Sequence, residues 1–288
     1  MNKNQFIPSI NFHLWEPCNM RCKFCFATFQ DVKQSILPKG HLPKEDALQL
    51  IKLFADFGFE KITFVGGEPT LCPWLDDLIA YAKSLGMVTM LVSNGTRLTS
   101  DFLLRNRKHL DWIALSIDSL QDATNLKTGR AVVGKKVISL AAYKILINNI
   151  KANAYRFKLN TVVNRYNYRE DFRAFINFAA PERWKVLQVL PIKGQNDKSI
   201  ADFMISKKQF HTFLEKHKTV SSLVPETNDD IKGSYVMVDP AGRLFENSKG
   251  EHLYSKPILS VGIKKAIESM NYNYTKFIDR GGLYQFNL

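Results

Sequence analysis

Cys18-Asn19-Met20-Arg21-Cys22-Lys23-Phe24-Cys25 follows directly on a β-branched and aromatic run at 10–15. A predicted strand that ends in chemically useful residues is the first of four built this way. The run 61–65 leads into Gly66-Gly67-Glu68-Pro69, and 88–92 leads into Ser93-Asn94-Gly95. The run 112–117 ends in Ser116 with Asp118 just beyond. Two further strands are predicted at 157–163 and 185–190, each bounded by turn or charge signals. Helical patterns fill the gaps. Pro43 opens the first and Gly58 closes it, with Leu48, Ile51, Phe54 and Ala55 as its apolar stripe. Leu78, Ile79, Ala82 and Leu85 mark the second, ended by Gly86, and further helices fit 101–109, 136–151, 170–179 and 206–218.

Six strand–helix units imply a parallel sheet with right-handed crossovers. A doubly wound sheet meets the same alternation. Glycine or small polar groups at four successive strand ends favour a barrel, where chemistry gathers at that face. The expected fold is therefore α/β, a partial (β/α)6 TIM-like barrel over residues 1–220. Beyond 220 the alternation fails: 232–238 reads as a short strand and Asp239-Pro240-Ala241-Gly242 as a turn. Residues 221–288 are expected to form a C-terminal extension packed on the same domain, a lid that closes when ligand binds.

The 288 residues carry 40 Lys and Arg against 27 Asp and Glu, a formal charge of +13. That balance favours an anionic partner such as a phosphorylated small molecule or nucleic acid. The basic pairs Lys135-Lys136, Lys207-Lys208 and Lys264-Lys265 are too short for an RNA-binding tail. No run approaches the roughly 20 apolar residues of a membrane span, and the first fifteen residues hold no secretory h-region. The expectation is a soluble, cytoplasmic protein without a membrane partner.

Three of the four cysteines crowd into eight residues, which points to metal chemistry in a reducing compartment rather than a disulfide framework. A closed zinc site wants four protein ligands. His13, His41 and Cys72 are the candidates for a fourth, and none has zinc-motif spacing to the others. An iron–sulfur cube held by three cysteines leaves one iron open to a small molecule. Cys72 alone reads as a buried, small apolar residue.

The Cys-x-x-x-Cys-x-aromatic-Cys order resembles the cluster motif of the radical S-adenosylmethionine (SAM) enzymes. The resemblance implies a [4Fe-4S] cluster on Cys18, Cys22 and Cys25, whose open iron binds SAM. Reduction then yields methionine and a 5′-deoxyadenosyl radical that takes hydrogen from the substrate. Phe24, Gly66, Gly67 and Glu68 match positions that hold SAM in such enzymes. Ser93, Ser116 and Arg130 fall where its ribose and carboxylate are met.

Strand periodicity adds a clue that needs no family. Side chains at i and i+2 share a face. Lys158 and Asn160 point together, with Phe157 and Leu159 opposite; Arg183 and Lys185 pair likewise against Trp184 and Val186. With the apolar set under the helices, Lys61, Lys158, Arg183 and Lys185 converge on the lumen. Unpaired buried cations are costly, so the arrangement calls for a ligand of several negative charges, with a triphosphate as the natural candidate.

The segments Asn11-Phe12-His13, Phe157-Lys158-Leu159-Asn160-Thr161-Val162-Val163-Asn164-Arg165, Arg183-Trp184-Lys185-Val186, Leu223-Val224-Pro225-Glu226-Thr227-Asn228 and Arg280-Gly281-Gly282-Leu283-Tyr284 resemble the viperin family. That resemblance implies conversion of a nucleoside triphosphate to its 3′-deoxy-3′,4′-didehydro form, a chain terminator of viral RNA synthesis. The radical would take the ribose 4′ hydrogen; the 3′ hydroxyl would leave as water, with an electron and a proton completing the product. It implies triphosphate contacts from Lys61, Lys158, Asn160, Arg183 and Lys185, a nucleotide-site role for Asn11, and Tyr235 acting near the ribose. It also implies an electron donor of flavodoxin or ferredoxin type. CTP is the default base by analogy, with UTP and GTP open, because Asp239-Pro240-Ala241-Gly242-Arg243 departs from the animal sequences. About ten residues precede the first strand, too few for the membrane-associating amphipathic helix of animal members.

Three rivals remain to be weighed. A radical SAM enzyme acting on RNA would suit the charge, yet no aromatic-rich or basic module is appended. A peptide-modifying enzyme commonly holds auxiliary clusters, and Cys72 alone cannot build one. A metal-stabilised nucleotide-binding protein without catalysis would be a colourless zinc protein with four ligands.

Overall fold

The computed structural model describes residues 6–286; the start of the stretch in which no interfacial helix is expected lies outside them. Ten strands form one sheet. They are β1 Ser9–Trp15, β2 Lys61–Gly66, β3 Val88–Ser93, β4 Trp112–Ser116, β5 Arg156–Val163, β6 Arg183–Gln188, β7 Leu223–Glu226, β8 Val236–Val238, β9 Arg243–Glu246 and β10 Leu253–Pro257. Their order is β10-β9-β8-β1-β2-β3-β4-β5-β6-β7, with β1 to β6 side by side in chain order. Every pairing from β8 through β1 to β7 is parallel; only β8–β9 and β9–β10 are antiparallel. This is the partial barrel expected, extended at both edges.

The crossover helices cover the outside: α1 Lys44–Phe57, α2 Leu75–Ser84, α3 Ser100–Asn106, α4 Asp122–Thr128, α5 Leu140–Ala152, α6 Arg173–Ala179 and α7 Lys207–Lys216. The buried stripe of α1 is Ala47, Leu50, Ile51 and Phe54, an i, i+3, i+4, i+7 set. Leu48 and Ala55, expected in that stripe, flank it at half burial. Leu85 likewise gives way to Leu75 on α2. Helices α5 and α6 start later than periodicity suggests because polar residues at their heads have other partners. Ser139 caps α5, its hydroxyl accepting from Ala142 N–H, while Lys136 pairs with Val132, which itself pairs with Met20 of the cysteine loop. Glu170, expected to open α6, instead accepts from Ser119 Oγ at 2.5 Å and from Leu120 N–H at 3.0 Å.

The chain after residue 220 adds β7 beside β6 and the β8–β10 ribbon beside β1. Pro225 hid β7 in the sequence; it is tolerated because β7 is a sheet edge. Among the described residues no helix is long and apolar enough to cross a membrane.

Candidate active site

The strand faces divide as their period requires. Phe157, Leu159, Trp184 and Val186 are buried in the main core with the helices. Lys158, Asn160, Arg183 and Lys185 face a cavity of about 730 Å³ that also takes in Ser9, Asn11, His13, Lys61 and all three clustered cysteines. Register pairs these residues in rows: Lys158 opposite Arg183, and Asn160 opposite Lys185.

At the top of the cavity lies the cysteine loop. It is strapped from outside by the segment after α4: Arg21 N–H donates to Gly129 O at 3.1 Å and Lys23 N–H to Thr128 O at 3.0 Å. Gly129 is required there, because a Cβ would lie 2.0 Å from Arg21 O. Arg130 then reaches inward. Its guanidinium lies 3.2 Å from the Asp118 carboxylate, donates to Ser116 O at 2.5 Å, and brings Nη1 to 3.5 Å from Cys22 Sγ.

The thiols suit a cationic iron–sulfur centre. Burial raises all three pKa values, Cys18 to about 11 and Cys25 to about 12, so thiolates there need positive charge beside them. The three candidates for the fourth ligand of a zinc site are engaged elsewhere. His41 stacks on Trp15 at 3.9 Å, Cys72 is buried in the main core, and His13 packs among Phe26, Phe29 and Phe245. Among the described residues no three His, Cys, Asp or Glu side chains are grouped to hold a single ion; in a cube each thiolate takes a different iron.

Gly66 and Gly67 pass so close to the chain entering the cysteine loop that a Cβ would stand 2.5 Å from Trp15 O and 2.1 Å from Glu16 O respectively. The fully buried Glu68 binds inward: Thr70 Oγ1 (2.5 Å), Ser93 Oγ (2.8 Å) and the N–H groups of Thr70 and Asn94 all donate to its carboxylate. Glu68 thus ties the end of β2 to the end of β3, and Ser93 is its partner. Phe24 is buried against Phe203. Asn11 donates to Val236 O at 3.2 Å.

The opposite end of the cavity is cationic. Lys61, Lys158 and Lys185 are each less than 10% exposed, and burial lowers the pKa of all three, Lys185 to about 8. Lys61 and Lys158 have no ion-pair partner among the described residues. Lys61 Nζ donates to Tyr284 Oη at 2.7 Å, and Arg183 lies 4.3 Å from the same ring and donates to Gly281 O at 2.9 Å. Asn160 Oδ1 and Arg183 Nε are buried without hydrogen-bond partners among the described residues. Tyr235 accepts from Lys185 and donates to Glu226.

Sequence reasoning missed Glu226, a buried carboxylate behind this cluster, 2.7 Å from Lys185 and 3.1 Å from Arg280. It also gave Arg280 and Tyr284 no contact with the cations. The Gly281-Gly282 pair was the available signal: a Cβ on Gly282 would stand 2.3 Å from Phe277 O, so the tail turns in tightly beneath the barrel.

The radical SAM superfamily model matches residues 15–179. An S-adenosylmethionine-dependent nucleotide dehydratase of Flammeovirga pacifica is 55% identical over 294 residues, covering 99% of this chain and 100% of that protein. The chain belongs to the radical SAM superfamily, among the S-adenosylmethionine-dependent nucleotide dehydratases. A protein of the same description from Lacinutrix mariniflava is 60% identical over 281 residues, and the chain spans 98% of its own length but 59% of that relative's. The dehydratase RSAD2 of Danio rerio is 36% identical, covering 96% of this chain and 77% of that one. Among solved structures, anSMEcpe with bound AdoMet and Cp18Cys peptide superposes with a TM-score of 0.70 at 14% identity, covering 96% of this chain and 84% of that one. SuiB of Streptococcus suis gives 0.62 at 14%, covering 83% and 60%. These two share the fold. As a radical SAM enzyme the chain uses SAM and a [4Fe-4S] cluster on Cys18, Cys22 and Cys25, with one iron lacking a protein ligand.

Proposed function

We propose that this enzyme dehydrates a nucleoside triphosphate to the 3′-deoxy-3′,4′-didehydro nucleotide, a chain terminator for antiviral defence made in the cytoplasm. The observation that carries the reading is the excess of buried cations in the cavity the cysteines share. Lys61, Lys158, Arg183, Lys185 and Arg280 face it, while Glu226 offsets a single charge. Asn160 Oδ1 and Arg183 Nε, buried without partners among the described residues, are polar atoms that a ligand would satisfy. A pocket of about 730 Å³ lined at its cationic end by Arg280, Gly281, Gly282 and Tyr284 suits a small polyanion better than an RNA chain.

When bound, the cluster supplies the electron that cleaves SAM, delivered by a flavodoxin- or ferredoxin-type donor. Gly66, Gly67, Phe24, Ser93, Ser116 and Arg130 line the side of the cavity next to the cysteines and hold SAM there; Glu68 acts through the geometry it gives Ser93 and Asn94. Lys61, Lys158, Asn160, Arg183 and Lys185 hold the triphosphate. Tyr235, hydrogen-bonded to Lys185, sits next along the cavity and meets the ribose with Asn11. The ribose 4′ hydrogen would pass to the 5′-deoxyadenosyl group to give 5′-deoxyadenosine, the 3′ hydroxyl would take up a proton and leave as water, and one electron from the same donor would complete the product. CTP is the favoured substrate, with UTP and GTP as alternatives.

The test is an anaerobic assay of the reconstituted, reduced enzyme with SAM and each of CTP, UTP, GTP and ATP, read by mass spectrometry. A triphosphate lighter by one water, formed with 5′-deoxyadenosine, is the expected result. Deoxyadenosine without an altered nucleotide would overturn the substrate and leave the radical chemistry.

A further inference from the structure

Around Tyr235 the cavity changes character. Its wall there is Phe26, Leu190, Ile231 and Met237. These belong to two apolar clusters, and Phe26 and Tyr235 pack against both. Two buried polar side chains open into this apolar wall with unmet hydrogen-bonding capacity.

Asn247 is 1% exposed and lines the cavity. Its Oδ1 accepts from Gly233 N–H at 3.0 Å, which fixes the orientation of the amide, since the reverse would set two donors against each other. The free end is therefore Nδ2, a donor buried without a hydrogen-bond partner among the described residues. His13 lies two residues beyond Asn11 on the lumen face of β1, and its Nδ1 is also buried and unpartnered. Burial, reinforced by His252, holds its pKa at about 3, so the ring is neutral and one nitrogen is an acceptor. Phe245 links the two: its ring lies 5.3 Å from His13, and it precedes Asn247 by two residues. Buried polar atoms are nearly always satisfied in native proteins, so an unpaired amide facing a cavity marks a ligand contact.

We propose that this apolar subsite receives the base of the nucleotide, with Asn247 Nδ2 donating to a carbonyl oxygen or unprotonated ring nitrogen of the base and His13 making a second polar contact. The inference rests on the nucleotide reading above and adds the residue that reads the base. The link between the cationic end and the apolar wall carries it. Tyr235 joins the two regions: it is hydrogen-bonded to Lys185 and packs against both apolar clusters, one of which holds Phe245, two residues before Asn247. In a nucleotide the ribose likewise joins the triphosphate to the base. Apolar faces for packing plus a polar group at the edge are how proteins read an unpaired base.

Asn247→Ala and Asn247→Asp test this in the anaerobic, cluster-loaded enzyme. Calorimetry would compare CTP, UTP, GTP, ATP, a base-free ribose triphosphate and SAM. Asn247→Ala is expected to weaken the preferred nucleotide about tenfold and to leave the base-free triphosphate and SAM unchanged. Asn247→Asp keeps an acceptor for Gly233 N–H but turns the donor into an acceptor, so it should reorder the four nucleotides towards one with an amino group at that edge. Equal weakening of all four nucleotides and the base-free compound, or an unchanged order in both variants, overturns the base assignment alone. A parent enzyme that binds none of the triphosphates overturns the nucleotide reading and this inference together.

Discussion

Lys185 Nζ stands 2.7 Å from Glu226 Oε1, with the carboxylate fully buried and the lysine nearly so. Glu226 also holds Arg280 at 3.1 Å, so one carboxylate ties a barrel strand to the C-terminal tail. Burial alone would raise its pKa, but Lys185 and Arg280 hold it at about 2. Lys61 and Lys158, which have no ion-pair partner among the described residues, each lie near an aromatic ring. Lys61 lies 4.6 Å and Lys158 5.6 Å from the centre of the Tyr284 ring. Ring faces favour a cation without neutralising it, which leaves the charge available to a ligand.

Glu226→Gln removes the shared counter-charge and leaves Lys185 and Arg280 buried with a neutral partner. Breaking a buried pair this way costs on the order of 3 kcal/mol, so the melting temperature should fall. Added CTP should recover part of the loss, because a bound polyanion replaces the missing charge. Thermal unfolding with and without the nucleotide checks both; a variant that melts with the parent would show that Glu226 does not hold the tail.

Triphosphate affinity should depend on pH on the alkaline side. Burial depresses the Lys185 pKa to about 8, with Glu226 opposing the shift. Bound phosphate favours the protonated amine, so the Lys185 contribution to affinity is full below that value and declines as pH rises through about 8. Titration of CTP by calorimetry between pH 6.5 and 9 would show it, along with proton uptake on binding near the upper end. SAM binding in the same series serves as the reference. A flat CTP profile would mean that Lys185 does not face the phosphates.

Much of this site was legible in the residues because strand period and strand ends are local signals. Lys158 with Asn160 and Arg183 with Lys185 share a face in any strand, and the structure turns both pairs to the cavity. What escaped depended on partners far along the chain. Glu226 sits on a four-residue strand containing Pro225, where neither period nor propensity is visible. Strands β9 and β10 are also short and gain their definition from pairing with β8 and with each other. The role of Gly129 becomes visible only when α4 is laid against the cysteine loop.

Each of Cys18→Ala, Cys22→Ala and Cys25→Ala should lose iron and the brown colour on anaerobic reconstitution, and with them SAM cleavage. Cys72→Ala should keep all three. Cys72 is 5% exposed in the main core, so its loss should cost about 1 kcal/mol of stability through a small cavity. Iron and sulfide content per chain is the measurement. Loss of iron from Cys72→Ala would force a reassignment of the ligands.

Gly67→Ala isolates the backbone packing beneath the SAM side of the cavity. The added Cβ would meet Glu16 O at 2.1 Å and Pro17 O at 2.5 Å, contacts with main chain that no rotamer can relieve. The approach to the cysteine loop must move, so the variant should lose SAM affinity by more than tenfold while the far cationic end still binds triphosphate. Separate titrations with the two ligands would separate a local shift from general unfolding. An unchanged SAM affinity would mean that this loop tolerates displacement.

Acid should destabilise the fold through its buried histidines. Burial lowers the pKa of His252 to about 4 and of His13 to about 3. Both are neutral when folded, whereas in the unfolded chain they take up protons below about 6.5. The depressed values mean that their contribution is fully present above pH 6.5 and is lost as pH falls towards 4. For His252 alone the difference is on the order of 3 kcal/mol. His252 packs 4.7 Å from Phe245 and 6.3 Å from Phe26, with Nε2 buried and unpartnered. His252→Phe places a ring of similar shape there and removes the titration. The variant should match the parent near pH 7.5 and melt several degrees higher at pH 4.5. Melting curves from pH 7.5 to 4.5 check this, and parallel curves for the two proteins would place the acid sensitivity elsewhere.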